Sequence, residues 1–166
     1  WAKLFGAREI ICIDRHENRL KVARNLGMKE CLDTKKTDVI TRVKELTDSV
    51  GADTIFECSG SEELRALAIS LVAKSGKIVI LGNPVKDFVL TKDMYSVLLR
   101  KEITVRGSWS SLISTKEWDQ SLLSMKETKL QAKPLISNIF PLSEGKKVFE
   151  DMYSKKFDFI KVMLEI

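Results

Sequence analysis

Residues 2–27 read AKLFGAREIICIDRHENRLKVARNLG, and they carry the strongest fold signal of the chain. The segment up to Gly6 is typical of the last turn of a helix, because glycine readily adopts the left-handed conformation that ends helices. An apolar run over Glu9–Ile13 then predicts a buried strand. The following amphipathic segment predicts a helix over about Asn18–Leu26, stopped by Gly27.

The same alternation of strand and helix continues towards the C-terminus. Each further strand is a short apolar run, and we expect these runs over Lys29–Leu32, Asp53–Cys58, Lys77–Leu81 and Ile103–Val105. Amphipathic segments separate them. This order predicts an α/β fold, namely a Rossmann-type doubly wound parallel sheet with helices on both faces.

The helices are predicted from apolar stripes and capping residues. One stripe consists of Val39, Val43, Leu46 and Val50. Thr37 or Asp38 is its candidate N-cap, and Gly51 its candidate left-handed end. Ser61 is predicted to cap the next helix, which ends at Gly76, and Met94–Arg100 is predicted to form another.

The chain after Gly107 follows a different pattern. Trp118, Leu122 and Met125 indicate a helix, whereas Pro134 and Pro141 are expected to break regular structure. We predict that Ser143 caps a helix over Glu144–Ser154 and that Ile160–Leu164 forms the last strand.

Composition excludes several classes of function. The 28 basic and 23 acidic residues are interspersed without an aromatic-basic stripe, so the net charge of +5 does not indicate a nucleic-acid partner. Apolar runs are too short to cross a membrane. Cys12, Cys31 and Cys58 match no zinc-site spacing and are expected to be reduced, buried thiols of a cytoplasmic protein.

Asp14 is the first candidate site residue, because a carboxylate at the carboxyl end of a strand can bind the hydroxyls of an adenosine ribose. A helix cap or a solvated turn is the alternative interpretation. In the dinucleotide fingerprint a Gly-rich turn precedes this carboxylate by roughly 20 residues. We therefore expect that the Gly-rich turn and the strand before it lie upstream of Trp1 in the sequence. In the sheet, that strand is expected between the strands Glu9–Ile13 and Asp53–Cys58.

Four segments in order resemble the cofactor domain of zinc-dependent medium-chain alcohol and polyol dehydrogenases, a family that includes sorbitol, threonine and galactitol-1-phosphate dehydrogenases. They are residues 2–27, GADTIFECSG at 51–60, SGKIVILG at 75–82 and LRKEITVRGSW at 99–109. The last segment is most similar to galactitol-1-phosphate 5-dehydrogenase. The resemblance covers essentially the whole chain.

This resemblance implies a set of cofactor-binding residues for NAD. It consists of Asp14, Arg15 and Arg19 near the adenosine ribose, Cys58, Ser59 and Gly60 on the adenosine side, and Leu81, Gly82, Gly107, Ser108 and Trp109 near the nicotinamide. Gly82 and Gly107 could equally be turn glycines, and Trp109 could pack in the core. The charge of Asp14 favours NAD over NADP, although the neighbouring arginines weaken that preference.

The resemblance also implies what this chain lacks. The family holds its catalytic zinc in an N-terminal domain, so we expect no catalytic or metal-binding residue here, and His16 is predicted to be a surface histidine. Residues 1–132 are expected to be the truncated NAD-binding domain, and 133–166 the return of the chain into the catalytic domain. Alone, the fragment is predicted to be inactive.

Three functions remain open at this point. The parent is expected to be a homodimeric or homotetrameric enzyme that transfers hydride between a polyol, possibly phosphorylated, and NAD. The alternatives are a nucleotide-binding module without catalysis and, less in keeping with the residues, a SAM-dependent methyltransferase. A methyltransferase would be expected to end in an antiparallel hairpin, which the segment after Gly107 does not resemble.

Overall fold

The structure, a computed structural model, describes residues 1–109, 113–127 and 129–166. The chain divides into two compact units, which are described separately. The first unit contains Trp1–Lys36 and Leu112–Ile166, and the second contains Thr37–Ser111. In chain order the strands and helices are β1 (Ile11–Asp14), α1 (Glu17–Asn25), β2 (Glu30–Asp33), α2 (Val39–Leu46), β3 (Ala52–Glu57), α3 (Glu62–Leu71), β4 (Val72–Ile80), α4 (Lys92–Arg100), β5 (Thr104–Gly107), α5 (Glu117–Lys126), β6 (Ile136–Pro141), α6 (Gly145–Tyr153) and β7 (Lys161–Glu165).

The first unit begins with the helix end that the sequence predicts. Gly6 has a φ of 84°, its N–H donates to the carbonyl of Lys3, and the N–H of Ala7 donates to the carbonyl of Ala2. This double hydrogen bond is the Schellman motif that ends helices. Gly27, with a φ of 86°, ends α1 in the same way, so both predicted glycine stops are confirmed.

Strands β1 and β2 form a parallel pair in the first unit. Cys12 lies opposite Cys31, and Asp14 lies opposite Asp33. Leu20 of α1 is almost fully buried and anchors this helix. The carboxylates of Asp14 and Asp33 therefore stand together at the carboxyl end of the strand pair.

The C-terminal part of the first unit contains a strand that the sequence analysis missed. β6 pairs in parallel with β7, although Pro141 occupies its last position. Proline is tolerated there because β6 has no other strand partner in the described part of the chain, so no ladder donor is lost. The predicted Ser143 cap is wrong: a short 3₁₀ turn, Leu142–Glu144, leads into α6 without a side-chain cap.

The second unit contains the parallel sheet β3-β4-β5, covered on one face by α3 and α4. Ala68 and Ile69 of α3 pack against Val72 and Ile78 of β4 to form the buried core. Asp38 caps α2 by accepting from the N–H of Thr41, and Ser61 caps α3 by accepting from that of Leu64. Both capping predictions are thus confirmed.

Two boundaries in this unit differ from the prediction. α2 ends at Leu46, because Asp48 and Ser49 already adopt left-handed conformations, and Val50 is consequently exposed. α3 ends at Leu71 rather than at Gly76, and β4 begins at once.

The first part of β4 contains a β-bulge. Ala52 pairs with Val72 but Thr54 pairs with Lys77, so the intervening residues loop out of register. Lys101 holds this irregularity, since its carbonyl accepts from the N–H of Ser75 and its Nζ donates to the carbonyl of Val72. A short bulge of this kind leaves no periodic signal in the sequence.

The strand pairing agrees with the expected order. β1 pairs with β2, and β4 lies between β3 and β5, as a dinucleotide-binding sheet requires of these strands. Every strand pair in the described ranges is parallel, so the C-terminal strands are not the antiparallel hairpin that a methyltransferase would show. None of the described helices has the length and apolar character needed to cross a bilayer.

Candidate functional site

The segments that follow β3, β4 and β5 are joined at the carboxyl edge of the sheet in the second unit. The backbone N–H groups of Leu81 and Gly82 donate to the carbonyl of Glu57 at 2.8 and 3.0 Å. The N–H of Ser108 donates to the carbonyl of Ile80 at 2.9 Å. The structure therefore brings together the predicted site segments 58–60, 81–82 and 107–108.

The buried carboxylate of Glu57 organises the first of these segments. Its Oε1 accepts from the N–H of Ser59 at 2.7 Å, from the hydroxyl of Ser59 at 2.6 Å and from the N–H of Gly60 at 3.0 Å. Glu57 is only 4% exposed. The sequence analysis missed this residue, although glutamate in an apolar strand signals a buried carboxylate that must be paired.

Arg65 of α3 is the charged partner of this carboxylate. Its Nη2 donates to the carbonyl of Gly60 at 2.7 Å, and its Nε lies 3.9 Å from Oε2 of Glu57. The guanidinium also lies 5.9 Å from the ring centre of Phe88. Glu57 and Arg65 thus hold the segment Cys58–Gly60 from both its N–H and its carbonyl groups.

Gly60 and Gly82 are required by close backbone packing. A Cβ atom on Gly60, whose φ is 74°, would lie 1.7 Å from the carbonyl oxygen of Asn83. A Cβ on Gly82 would lie 2.1 Å from the backbone nitrogen of Gly60. Glycine is therefore required at position 82 by packing, because two strand ends meet at this residue without room for a side chain.

The third segment, Gly107–Trp109, leaves the edge of the sheet open. Among the residues that the structure describes, no atom lies within 4 Å of the position that a Cβ of Gly107 would occupy. The side chain of Trp109 is 76% exposed, so within this chain it does not pack in a core. Both features leave space beside the backbone at the end of β5.

Cys58 differs from the expectation of a buried thiol. It is exposed and directly follows the last residue of β3. Partial burial and the neighbouring Glu57 nevertheless raise the pKa of its thiol. The free thiol of Cys58 is thus protonated at neutral pH.

In the first unit, Asp14 ends β1 as predicted. Its Oδ1 accepts from the N–H of His16 at 2.9 Å, and its Oδ2 lies 3.5 Å from Nη1 of Arg19. The carboxylate is 27% exposed, so its outer lone pairs remain accessible. Arg15 instead points its Nε towards Nε2 of His16, at 3.2 Å, so of the two arginines Arg19 is the one paired with Asp14.

Asp33 and His16 complete the polar groups near Asp14. The N–H of Lys35 and the charge of Lys36 lower the pKa of the buried Asp33 carboxyl, which is therefore ionised at neutral pH. Asp33 is not among the predicted site residues, because the family resemblance assigns the ribose carboxylate to Asp14. His16 is the uncapped start of α1, its Nδ1 lies 4.0 Å from Asp158, and its side chain is 33% exposed.

Each unit contains a concave region whose lining includes residues at these strand ends, namely Glu57 and Ile80 in the second unit and His16 and Arg19 in the first. In the second unit a cavity of about 340 Å³ lies between the sheet and α3 and α4, lined by Ile69, Ile78, Leu98 and Val105 among others. In the first unit a cavity of about 230 Å³ lies beside the start of α1 and contacts Asn138 and Asp158. No cluster of three His, Cys, Asp or Glu side chains suited to a metal ion occurs in the described ranges.

Comparison with known proteins identifies the family. The profile of the zinc-binding dehydrogenases matches residues 1–127, and the chain therefore belongs to this family. It is 33% identical to a sorbitol dehydrogenase of Halalkalibacterium halodurans over 167 residues, which cover 98% of this chain and 46% of that protein. It is 32% identical to an L-threonine 3-dehydrogenase of Bacillus subtilis over 154 residues, which cover 92% of this chain and 43% of that protein.

The fold comparison agrees. The crystal structure of galactitol-1-phosphate dehydrogenase from Escherichia coli matches with a TM-score of 0.84 and 24% identity, covering 97% of this chain and 47% of that one. This likeness shows the fold alone. The identity to the sorbitol dehydrogenase is higher than that to the galactitol-1-phosphate enzyme, and the chain spans about half the length of the curated relatives it matches.

Proposed function

We propose that this chain is the NAD-binding part of a zinc-dependent dehydrogenase that oxidises a secondary alcohol of the polyol class. The observation that carries the proposal is the union of segments 58–60, 81–82 and 107–108 at one edge of a parallel sheet. Ligands of doubly wound proteins bind outside the carboxyl ends of the strands, which is this edge. The cavity under α3 and α4 lies on the helix-covered face and is not part of this proposal.

The residues present fit a dinucleotide. Close packing of Gly60 on Gly82 and the open space beside Gly107 would let a flat ring approach the backbone. In this proposal Leu81, Gly82, Gly107, Ser108 and Trp109 contact the nicotinamide, and Cys58, Ser59 and Gly60 contact the adenosine. Bound NAD would accept a hydride from the alcohol carbon.

Asp14 is proposed to bind the ribose hydroxyls of the adenosine. Its carboxylate is already fixed by the N–H of His16 and accompanied by Arg19, so little side-chain entropy is lost on binding. A 2′-phosphate would meet the charge of Asp14, which favours NAD over NADP. Arg15 and Arg19 are assigned to the surroundings of the ribose.

The described residues do not fit a zinc site, so no metal-dependent step is assigned to this chain. We propose that residues 1–132 form the cofactor domain and that 133–166 return to a catalytic domain whose residues supply the zinc ligands. The chain on its own is then expected to leave alcohols unoxidised. A homodimeric or homotetrameric parent in the cytoplasm completes the proposal.

The test is a fluorescence titration of NADH against the polypeptide that contains this chain. Asp14→Asn should weaken NADH binding by about 1–3 kcal/mol, the range for a lost charge-assisted hydrogen bond. Asp48→Asn is the matched control, because Asp48 is exposed and left-handed, a conformation that asparagine also tolerates. An unchanged affinity of the Asp14 variant, or equal binding of NADPH, would refute the assignment.

A substrate panel separates the enzyme from a binding module without catalysis. Sorbitol, galactitol 1-phosphate and L-threonine represent the substrates named for the relatives, and we expect oxidation of a polyol. NADH binding without zinc-dependent oxidation of any member of the panel would favour the non-catalytic module instead.

A further inference from the structure

Cys12 and Cys31 are neighbours on the two parallel strands of the first unit. They are register partners on β1 and β2, so their side chains project from the same face of the strand pair. Paired residues on adjacent strands have Cα atoms about 4.8 Å apart, which lies within the roughly 4.4–6.8 Å range that a disulfide spans. The backbone thus places the two Cα atoms at a separation that a disulfide can span.

The surroundings of the two thiols agree with this arrangement. Burial, followed by the proximity of Cys31, raises the pKa of the Cys12 thiol to about 11. The thiol of Cys31 donates to the carbonyl of Met28 at 3.6 Å. Both residues are half-buried and carry free thiols, so the pair is not sealed from solvent.

We propose that Cys12 and Cys31 form a reversible disulfide by exchange with a low-molecular-weight disulfide such as oxidised glutathione. The Cys31 thiolate attacks one sulfur of the small disulfide, whose S–S bond breaks and releases one thiolate. The Cys12 thiol loses its proton to solvent and attacks the sulfur of Cys31, which expels the second small thiol. Two protein thiols are oxidised, and one small disulfide is reduced to two thiols.

The order of attack follows from the thiol chemistry. The high pKa of Cys12 leaves little thiolate at neutral pH, so Cys12 is the poorer first nucleophile and acts as the resolving thiol. The bond would tie β1 to β2 two residues before Asp14 and Asp33. Cys58 lies in the second unit, directly after β3, and is not part of the pair.

The experiment compares oxidation of the folded and the denatured chain in a glutathione redox buffer. Trypsin would release Cys12 in peptide 9–15, Cys31 in peptide 30–35 and Cys58 in peptide 45–65, so mass spectrometry identifies each link. In denaturant, loop-closure statistics favour the Cys12–Cys31 link by only about 2-fold over Cys31–Cys58 and about 4-fold over Cys12–Cys58. These ratios are the baseline.

The folded chain should give the Cys12–Cys31 link in at least about tenfold excess over each other link, with an intact mass lower by about 2 Da. Cys58→Ser should leave this link unchanged, whereas Cys31→Ser should abolish it. The proposal is overturned if the folded chain gives the denatured distribution, stops at a glutathione adduct on Cys31, or keeps its thiols in a buffer that oxidises the denatured chain. Urea unfolding of each variant before oxidation identifies any variant that fails to fold. In that case, the comparison of folded with denatured wild-type chain tests the proposal.

Discussion

Replacing Glu57 tests whether one buried carboxylate holds the edge of the sheet together. In Glu57→Ala, the buried N–H of Gly60 loses its acceptor and Arg65 loses its counter-charge, whereas the exposed Ser59 can turn to water. Each buried group left unsatisfied costs about 1–3 kcal/mol. Removing one member of a buried ion pair costs about 3–5 kcal/mol, a range that includes the partner left without a counter-charge, so we expect a loss of about 3–5 kcal/mol in the free energy of unfolding.

The assay is urea denaturation, in which a shifted midpoint at constant slope reports a change in stability. Glu57→Gln retains a carbonyl oxygen for Ser59 and Gly60 and should lose about 1–2 kcal/mol. Glu45→Gln is the matched control, because its ion pair with Arg42 lies on the surface and is worth less than about 0.5 kcal/mol. A Glu57→Ala variant within about 0.5 kcal/mol of the wild type would refute the role assigned to this carboxylate.

Two further predictions follow from the same structure. Gly60→Ala should destabilise the chain by more than about 2 kcal/mol, since its Cβ would meet the backbone of Asn83. Gly107→Ala should change stability by less than about 1 kcal/mol. Equal thermal unfolding midpoints of the two variants would contradict the close packing at Gly60. The raised pKa of Cys12 stabilises the folded state below pH 9, and this contribution is lost as the pH rises from about 9 to about 11. Cys12→Ser should therefore show a smaller alkaline loss of the urea midpoint than the wild type, and an identical loss would exclude Cys12 as its cause.

The sequence predicts the parts of the fold that follow from local rules. Gly6 and Gly27 end helical turns because the left-handed conformation is cheap for glycine, and Asp38 and Ser61 cap helices with their own oxygens. The predicted end of α2 was wrong because Asp48, a residue other than glycine, adopts the left-handed conformation. The predicted start of β4 was wrong because the bulge there is held by Lys101, which is remote in sequence.

The candidate site divides in the same way. Segment motifs indicate Asp14, Cys58–Gly60 and Leu81–Gly82, but they do not reveal what holds them. Arg65 was missed because its pairing with Glu57 joins α3 to β3 and is visible only in three dimensions. Sequence motifs therefore indicate the residues proposed to contact the ligand, whereas the residues that hold them, Glu57 and Arg65, are identified from the structure.

Hydrogen–deuterium exchange of the polypeptide containing this chain, measured with and without saturating NADH, tests the proposed cofactor site most directly. Segments 58–60, 81–83 and 107–109 lie at one edge of the sheet, and exchange at their N–H groups should slow together when NADH binds. Peptides from α3 and α4 line the cavity on the covered face of the sheet. NADH should slow their exchange only as much as it slows exchange throughout the protein by raising its overall stability. Protection confined to α3 and α4, or none at these strand ends while NADH is demonstrably bound, would contradict the account.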